Sequence, residues 1–283
     1  MDKKKIGIQG GIASFHDTVA HIYFGEEIEV VECATFERLC EVVKQGEVDY
    51  AVMAIENSIA GSIIPNYSLI ESYELGIIGE VKLRIMMHFM ALPGQEIQDI
   101  TKVMSHYMAL LQCNEFLNQY PAIESKKTHD TADSAKMIRE GELKGVAAIA
   151  GYRAAKTYDL TVLASEIETI KENFTRFFIL SKEEKVASSE INKTTLSFQL
   201  PNQVGSLATV LKSIVDHEIN LTKIQSVPII GKPDEYTFYV DCEYSSYKRY
   251  RECMAVLRQH VNNPRILGEY KKGEFVFDDY QGV

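Results

Sequence analysis

The sequence predicts a mostly parallel α/β domain followed by a smaller α+β domain of ferredoxin-like topology. Three observations carry that reading. Short apolar runs alternate with helical patterns through the first half of the chain, as in sheets with helices on their faces. Residues 183–193 are charged, Ser-rich and poor in apolar side chains, the composition of a linker. After them the patterns run in the order β-α-β-β-α-β, the split-βαβ arrangement.

The elements justify themselves in turn. Lys5–Gln9 reads as a strand, followed by a Gly-Gly turn and a helix beginning near Ser14. Thr35–Gln45 is helical, with Phe36, Leu39, Cys40 and Val43 spaced for one buried face. Tyr50–Ile55 is a buried-strand run that ends in Glu56-Asn57-Ser58. Further β/α units are expected over Ser105–Tyr120, Thr131–Arg139 and Gly145–Ala150. In such sheets ligands sit beyond the carboxyl ends of strands, where the Ile55–Ser62 stretch falls. In the second domain Thr195–Leu200 alternates, with Leu196, Phe198 and Leu200 on one face. Val204, Leu207, Val210, Leu211, Ile214 and Val215 form a helical stripe, and Leu221–Pro228 and Tyr236–Glu243 flank a GKPDE turn. A second helix carries Tyr247, Tyr250, Met254, Leu257 and Val261, and Arg265–Tyr270 closes the unit.

The 283 residues suffice for two domains of ordinary size. A net charge of −10 argues against nucleic acid as the main partner. No stretch approaches a membrane span, and the basic start leads straight into a strand, so no signal peptide is read and a cytoplasmic location is expected. Five cysteines without a C-x-x-C pair fit reduced thiols better than a disulfide frame or a zinc site. Gly7, Gly10 and Gly11 do not space as a dinucleotide fingerprint, there is no phosphate-binding P-loop or H-E-x-x-H, and the seven histidines do not cluster in sequence. No metal and no cofactor are expected.

Three stretches are candidates for chemistry. IENSIAGS puts Glu56, Asn57, Ser58 and Ser62 in a short loop after a buried strand, as ligand groups or as a capped turn. Ser105 and Gln112 share a helix face if Ser105 opens a helix; otherwise Ser105 is a cap and Gln112 a solvated side chain. Thr175-Arg176-Phe177 offers a hydroxyl and a guanidinium fork at the start of an apolar strand, where Arg176 could equally be a surface residue.

Together these motifs resemble the prephenate dehydratases, over nearly the whole chain. Ala13-Ser14-Phe15 stands where the family has a Gly-Thr-Phe-like turn, and Ala54 to Ser62 matches its I-E-N-S-x-x-G element. Ser105-His106 with Gln112-Cys113, Asp130-Thr131-Ala132-Asp133-Ser134, and Asn173 followed by Thr175-Arg176-Phe177 match the rest. The resemblance implies a two-lobed catalytic domain like the periplasmic binding proteins at 1–182, with lobes of about 1–80 plus 163–182 and 81–162. It also implies an ACT regulatory domain at 194–272 and a tail at 273–283. No chorismate mutase region precedes these motifs, so a monofunctional enzyme is expected.

The implied reaction is decarboxylating dehydration of prephenate to phenylpyruvate, which aromatisation drives without a cofactor. By that resemblance Thr175 assists the departing hydroxyl and Arg176 supports a carboxylate or the geometry of the site. Asn57, Ser105 and Gln112 orient substrate. Glu56 and Ser58 shape the pocket, with Thr131 at its edge and Ser14, Ser62 and Phe177 in its wall. The implied effector is L-phenylalanine, held around Gly205-Ser206-Leu207, Asn220, Leu221, Gln225 and Ser226. The family's Glu-Ser-Arg-Pro is Gln225-Ser226-Val227-Pro228 here, which removes both charges. A homodimer or homotetramer is expected. Arogenate dehydratase and a non-catalytic aromatic-ligand sensor are the alternative functions.

Overall fold

The computed structural model describes residues 3–183, 190–229 and 231–278. Residues 184–189 of the expected linker and 279–283 of the expected tail lie outside the described residues. The chain opens with β1 (Lys4–Gln9), α1 (Phe15–Phe24), β2 (Ile28–Cys33), α2 (Phe36–Gln45), β3 (Tyr50–Asn57) and the short β4 (Gly61–Ser62). Ser14 and Thr35 start the two helices by accepting hydrogen bonds from the N–H of Asp17 and Arg38. α3 (Ile64–Ser72), β5 (Gly76–Arg84) and β6 (His88–Ala91) follow. Then come β7 (Lys102–His106), α4 (Tyr107–Gln112), α5 (Asn114–Leu117), β8 (Glu124–Thr128), α6 (Thr131–Glu140), β9 (Val146–Ala150), α7 (Tyr152–Thr157), β10 (Thr161–Ala164) and β11 (Phe174–Ser181).

Residues 1–63, 81–177 and 274–283 form one compact unit, and 64–80 with 178–273 form a second. The first unit draws on two sheets. One has the strand order β16-β5-β11-β3-β1-β2, where β16 is Phe275–Val276 and β4 pairs with β3. β1 runs parallel to both β2 and β3. The late strand β11 lies between β3 and β5, so the chain leaves this sheet, builds another, and returns. That other sheet is ordered β10-β6-β9-β7-β8. It is parallel at β7-β8 and β7-β9 and antiparallel where β6 meets β9 and β10. The parallel core expected from the alternation is present, with β6 alone reversed in this sheet.

The second unit carries β12 (Lys193–Gln199), α8 (Ser206–Asp216), β13 (Asn220–Pro228), β14 (Tyr236–Glu243), α9 (Tyr247–Leu257) and β15 (Asn262–Tyr270). This is the β-α-β-β-α-β order read from the sequence, in an antiparallel sheet ordered β13-β14-β12-β15. Side chains alternate across the sheet. Leu196, Phe198, Val240 and Cys242 point into a core with Val210, Ile214, Tyr250, Met254 and Leu257 of the two helices. Val215 and Val204 of the expected helical stripe are exposed instead. Val204 precedes the helix, and Val215 sits about 100° round from Ile214, off the buried face.

The opposite face of that sheet is polar and meets α3 and the start of β5. Ser197 Oγ (3.1 Å) and Tyr239 OH (2.9 Å) both donate to the Glu71 carboxylate. Lys193 Nζ lies 3.0 Å from Glu80 Oε1, with both residues almost fully buried. Gly268 belongs here because a side chain has no room: a Cβ would fall 2.2 Å from the Ile77 carbonyl oxygen. The expected tail contains β16, which pairs parallel with Lys82 and Leu83 and brings Phe275 against Phe174. No helix among the described residues is long and apolar enough to cross a membrane.

Candidate active site

The carboxyl end of β3 and the first residues of β11 meet at a cavity of about 410 Å³ in the first unit. Asn57, the last residue of β3, organises this junction. Its Oδ1 accepts from the backbone N–H of Ile59 (3.0 Å) and Ala60 (2.9 Å). Those two donors fix the orientation of the amide, so Nδ2 is the end that faces β11. Nδ2 donates to Asn173 Oδ1 (2.8 Å) and to Thr175 Oγ1 (2.9 Å). Thr175 therefore accepts from Asn57 and keeps its own hydroxyl proton for an acceptor in the cavity. Asn173 in turn donates from Nδ2 to Gln112 Oε1 (3.2 Å), which leaves the Gln112 NH₂ as a further donor at the wall.

Ser58 holds the two strand ends together. Its backbone N–H donates to Phe174 O (2.8 Å), its Oγ donates to Glu172 O (3.0 Å), and that Oγ accepts from Phe174 N (2.9 Å). Ser58 thus clamps the floor from behind and is not among the cavity-lining residues. Ser62, in β4, is likewise not among them.

Helices α1 and α6 both begin at the cavity. Ser14 caps α1, and Thr131 is the first residue of α6. Helix starts carry partial positive charge and suit anionic ligands. Asp130 caps α6 by accepting from Ala132 N and Asp133 N (2.7 and 3.2 Å). Burial raises its pKa, and those two N–H bonds oppose the rise. Among the described residues, neither Lys nor Arg lines the cavity.

Thr175, Asn57, Gln112, Thr131, Ser14 and Phe177 of the expected site residues are brought together here. Ser105 is not. β7 continues through it to His106, so Ser105 and Gln112 do not share a helix face. Its buried hydroxyl is spent on Ile149 O (2.6 Å), tying β7 to β9. Arg176 is buried behind the wall, 3.8 Å from the Glu56 carboxylate, and neither lines the cavity. In the second unit Gly205 precedes α8 in a left-handed conformation (φ 89°), with Ser206 opening the helix and Leu207 packed on the core. Asn220 and Leu221 start the edge strand β13, where Gln225 Nε2 donates to the carbonyl of Ser226 (3.1 Å).

The sequence reading missed His16, His106 and His129. Far apart along the chain, they line one cavity in the fold. His16 left a local trace directly after the Ser14-Phe15 turn, and His106 one within the Ser105-His106 match. Burial lowers its pKa to about 4.

Residues 6–185 match the family model described as prephenate dehydratase. The chain belongs to the prephenate dehydratase family. It is 34% identical over 277 residues to arogenate dehydratase/prephenate dehydratase 2 of Arabidopsis thaliana, covering 94% of this chain and 72% of that one. The solved prephenate dehydratase of Arthrobacter aurescens, in complex with L-Phe, has a TM-score of 0.82 at 26% identity and covers 94% of this chain and 90% of its own. A structure described as GqqA, a novel type of quorum quenching acylase, reaches a TM-score of 0.85 at 26% identity, covering 95% and 98%.

Proposed function

We propose that this chain is a prephenate dehydratase, a carbon-oxygen lyase that converts prephenate to phenylpyruvate, CO₂ and water. The carrying observation is the one-way hydrogen bond from Asn57 Nδ2 to Thr175 Oγ1, which leaves the threonine hydroxyl as a donor in the cavity. Prephenate carries two carboxylates and a ring hydroxyl. The bond from the ring to its carboxylate breaks to release CO₂, and that electron pair enters the ring. The ring hydroxyl departs on the opposite side and takes one proton to become water. The dianion plus that proton gives the phenylpyruvate anion, CO₂ and H₂O.

Thr175 stabilises the departing hydroxyl as a hydrogen-bond donor. Asn57, Asn173 and Gln112 hold the donors in place, and positioning of this kind contributes on the order of 7–11 kcal/mol. The start of α1 and the Thr131 hydroxyl supply carboxylate recognition with no lining cation among the described residues, since the Asp130 carboxylate already takes the Ala132 and Asp133 amides of α6. Arg176 and Glu56 act as a paired support behind the Thr175 strand. Ser105 supports the site through the β7-β9 junction rather than by touching substrate.

The division into two catalytic lobes and a C-terminal ACT regulatory domain is part of this reading, as is assembly into a homodimer or homotetramer. L-phenylalanine is its proposed effector, supported by the relative solved with L-Phe and by the βαββαβ order. Turnover of prephenate and of arogenate, each with and without L-phenylalanine, tests the proposal. Phenylpyruvate formation that L-phenylalanine suppresses is expected. Activity on arogenate alone would assign the aminated substrate instead. Failure on both, with folded protein, would sink the lyase reading in favour of a sensor or of the acyl chemistry named for the GqqA neighbour.

A further inference from the structure

His16 sits in the second position of α1 and lines the same cavity as Thr175 and Asn57. Its ring lies between Phe36 (centroids 5.7 Å apart) and Phe177, to which it is perpendicular (5.1 Å). Its Nε2 accepts the backbone N–H of Ala54 at 3.2 Å. An amide N–H can only donate, so Nε2 must present a lone pair and the ring proton must sit on Nδ1. Nδ1 makes no hydrogen bond to any described residue. The large majority of buried side-chain nitrogens are hydrogen-bonded, and this one faces a cavity instead.

We propose that His16 is a substrate-positioning residue whose Nδ1–H, fixed by the Ala54 hydrogen bond at the other nitrogen, donates to an oxygen of the bound substrate. This rests on the lyase reading above. It adds a third uncharged donor to the Thr175 hydroxyl and the Gln112 amide in a cavity that no Lys or Arg lines among the described residues.

The same geometry removes His16 from the role of general acid. Protonating Nε2 would set an N–H against the N–H of Ala54. Burial already holds its pKa down at about 4. The titratable groups that share the cavity are Asp130, His106 and His129. The adjacent Asp17 is committed to Ala13 N (2.8 Å) and Arg153 Nε (2.8 Å).

Two measurements test this. The first is the ¹⁵N spectrum of the His16 ring in the full-length protein, assigned by its loss in His16→Asn. The expected ring is neutral from pH 8 to 5, protonated at Nδ1, and shows an Nδ1 shift when phenylpyruvate is added as probe. An Nε2-protonated tautomer, a titration near the ordinary histidine value, or an unmoved Nδ1 would overturn the proposal.

The second is the kinetics of two variants. His16→Leu removes the donor and should lower kcat/KM for prephenate by about tenfold, the worth of one such hydrogen bond. His16→Asn should recover most of that loss, because its carbonyl can accept from Ala54 while its NH₂ faces the cavity. Wild-type turnover with His16→Leu unchanged in both kcat and KM would sink this inference and leave the lyase reading standing. No turnover by the wild type would sink the lyase reading, and the substrate half of this inference with it, whatever the tautomer.

Discussion

The cavity of the first unit and the polar face of the four-stranded sheet in the second are both built from buried polar side chains, yet they use opposite currencies. In the cavity, amides and hydroxyls run in file from Asn57 to Thr175 and from Asn57 through Asn173 to Gln112, with no ion among them. On the sheet face, Lys193 meets Glu80 at 3.0 Å and Glu243 at 3.4 Å, with almost no solvent access to its side chain. Fixed dipoles offer donors without demanding a counter-ion, which suits a surface that must be empty before it is filled. A buried ion pair is satisfied only by its own partner, which suits a contact that never opens. Orientation serves turnover in the first unit, and charge serves permanence in the second.

The sharpest way to break that contrast is Thr175→Val. It keeps the shape and removes the donor, so prephenate turnover should fall by about 10²–10⁴-fold, the range of an acid or strong donor, with the melting temperature held. Comparable losses of turnover and stability would mean that the cavity network is structural, like the sheet face. Lys193→Met should do the reverse. It removes the cation from the buried Glu80, leaving a carboxylate that still accepts from Gly273 N (3.0 Å), and should destabilise the fold by about 3–5 kcal/mol, as read from denaturant melts. Adding Glu80→Gln should recover part of that loss. A near-neutral single variant would show that the pair is hydrated and the contrast false.

The smallest effect is in the pH dependence of stability. Burial lowers the pKa values of His16 and His88 from 6.5 to about 4. The unfolded chain therefore binds more protons between those values. The contribution of each neutral ring is complete above pH 6.5 and is lost progressively as pH falls towards 4. Thermal melts should decline across that window, and His16→Asn should flatten the slope. An unchanged slope would place His16 in a solvated setting.

The second unit was the more legible from sequence, and the reason is geometric. Leu196, Phe198 and Leu200 alternate because one sheet face is apolar, and Val210, Ile214, Met254 and Leu257 recur at helical spacing because two helices cover it. The polar face was readable only as the gaps between those residues. That it meets Glu71 and Glu80 depends on contacts across more than a hundred residues, which no local period encodes. In the first unit, Asn57 and Thr175 could be singled out as residue types, but not the direction of the bond between them. Ser105 misled because Ser before an apolar stretch looks like a helix cap, whereas here the strand runs one residue further and His106 is the cap. His16 escaped notice because its role depends on the Ala54 amide, and a backbone donor leaves no mark in a sequence.

The hydrogen bonds around Asn57 also bear on how the protein ages. An Asn-Ser pair loses its amide when the serine backbone nitrogen attacks the asparagine side-chain carbon and closes a succinimide ring. In this fold the Ser58 nitrogen is bound to Phe174 O at 2.8 Å, and the Asn57 carbonyl is held by the amides of Ile59 and Ala60. The attack geometry is thereby denied while the chain is folded. The aspartate that would otherwise form could no longer donate to Thr175. The contacts that aim the threonine hydroxyl thus also set the chemical lifetime of the residue that aims it.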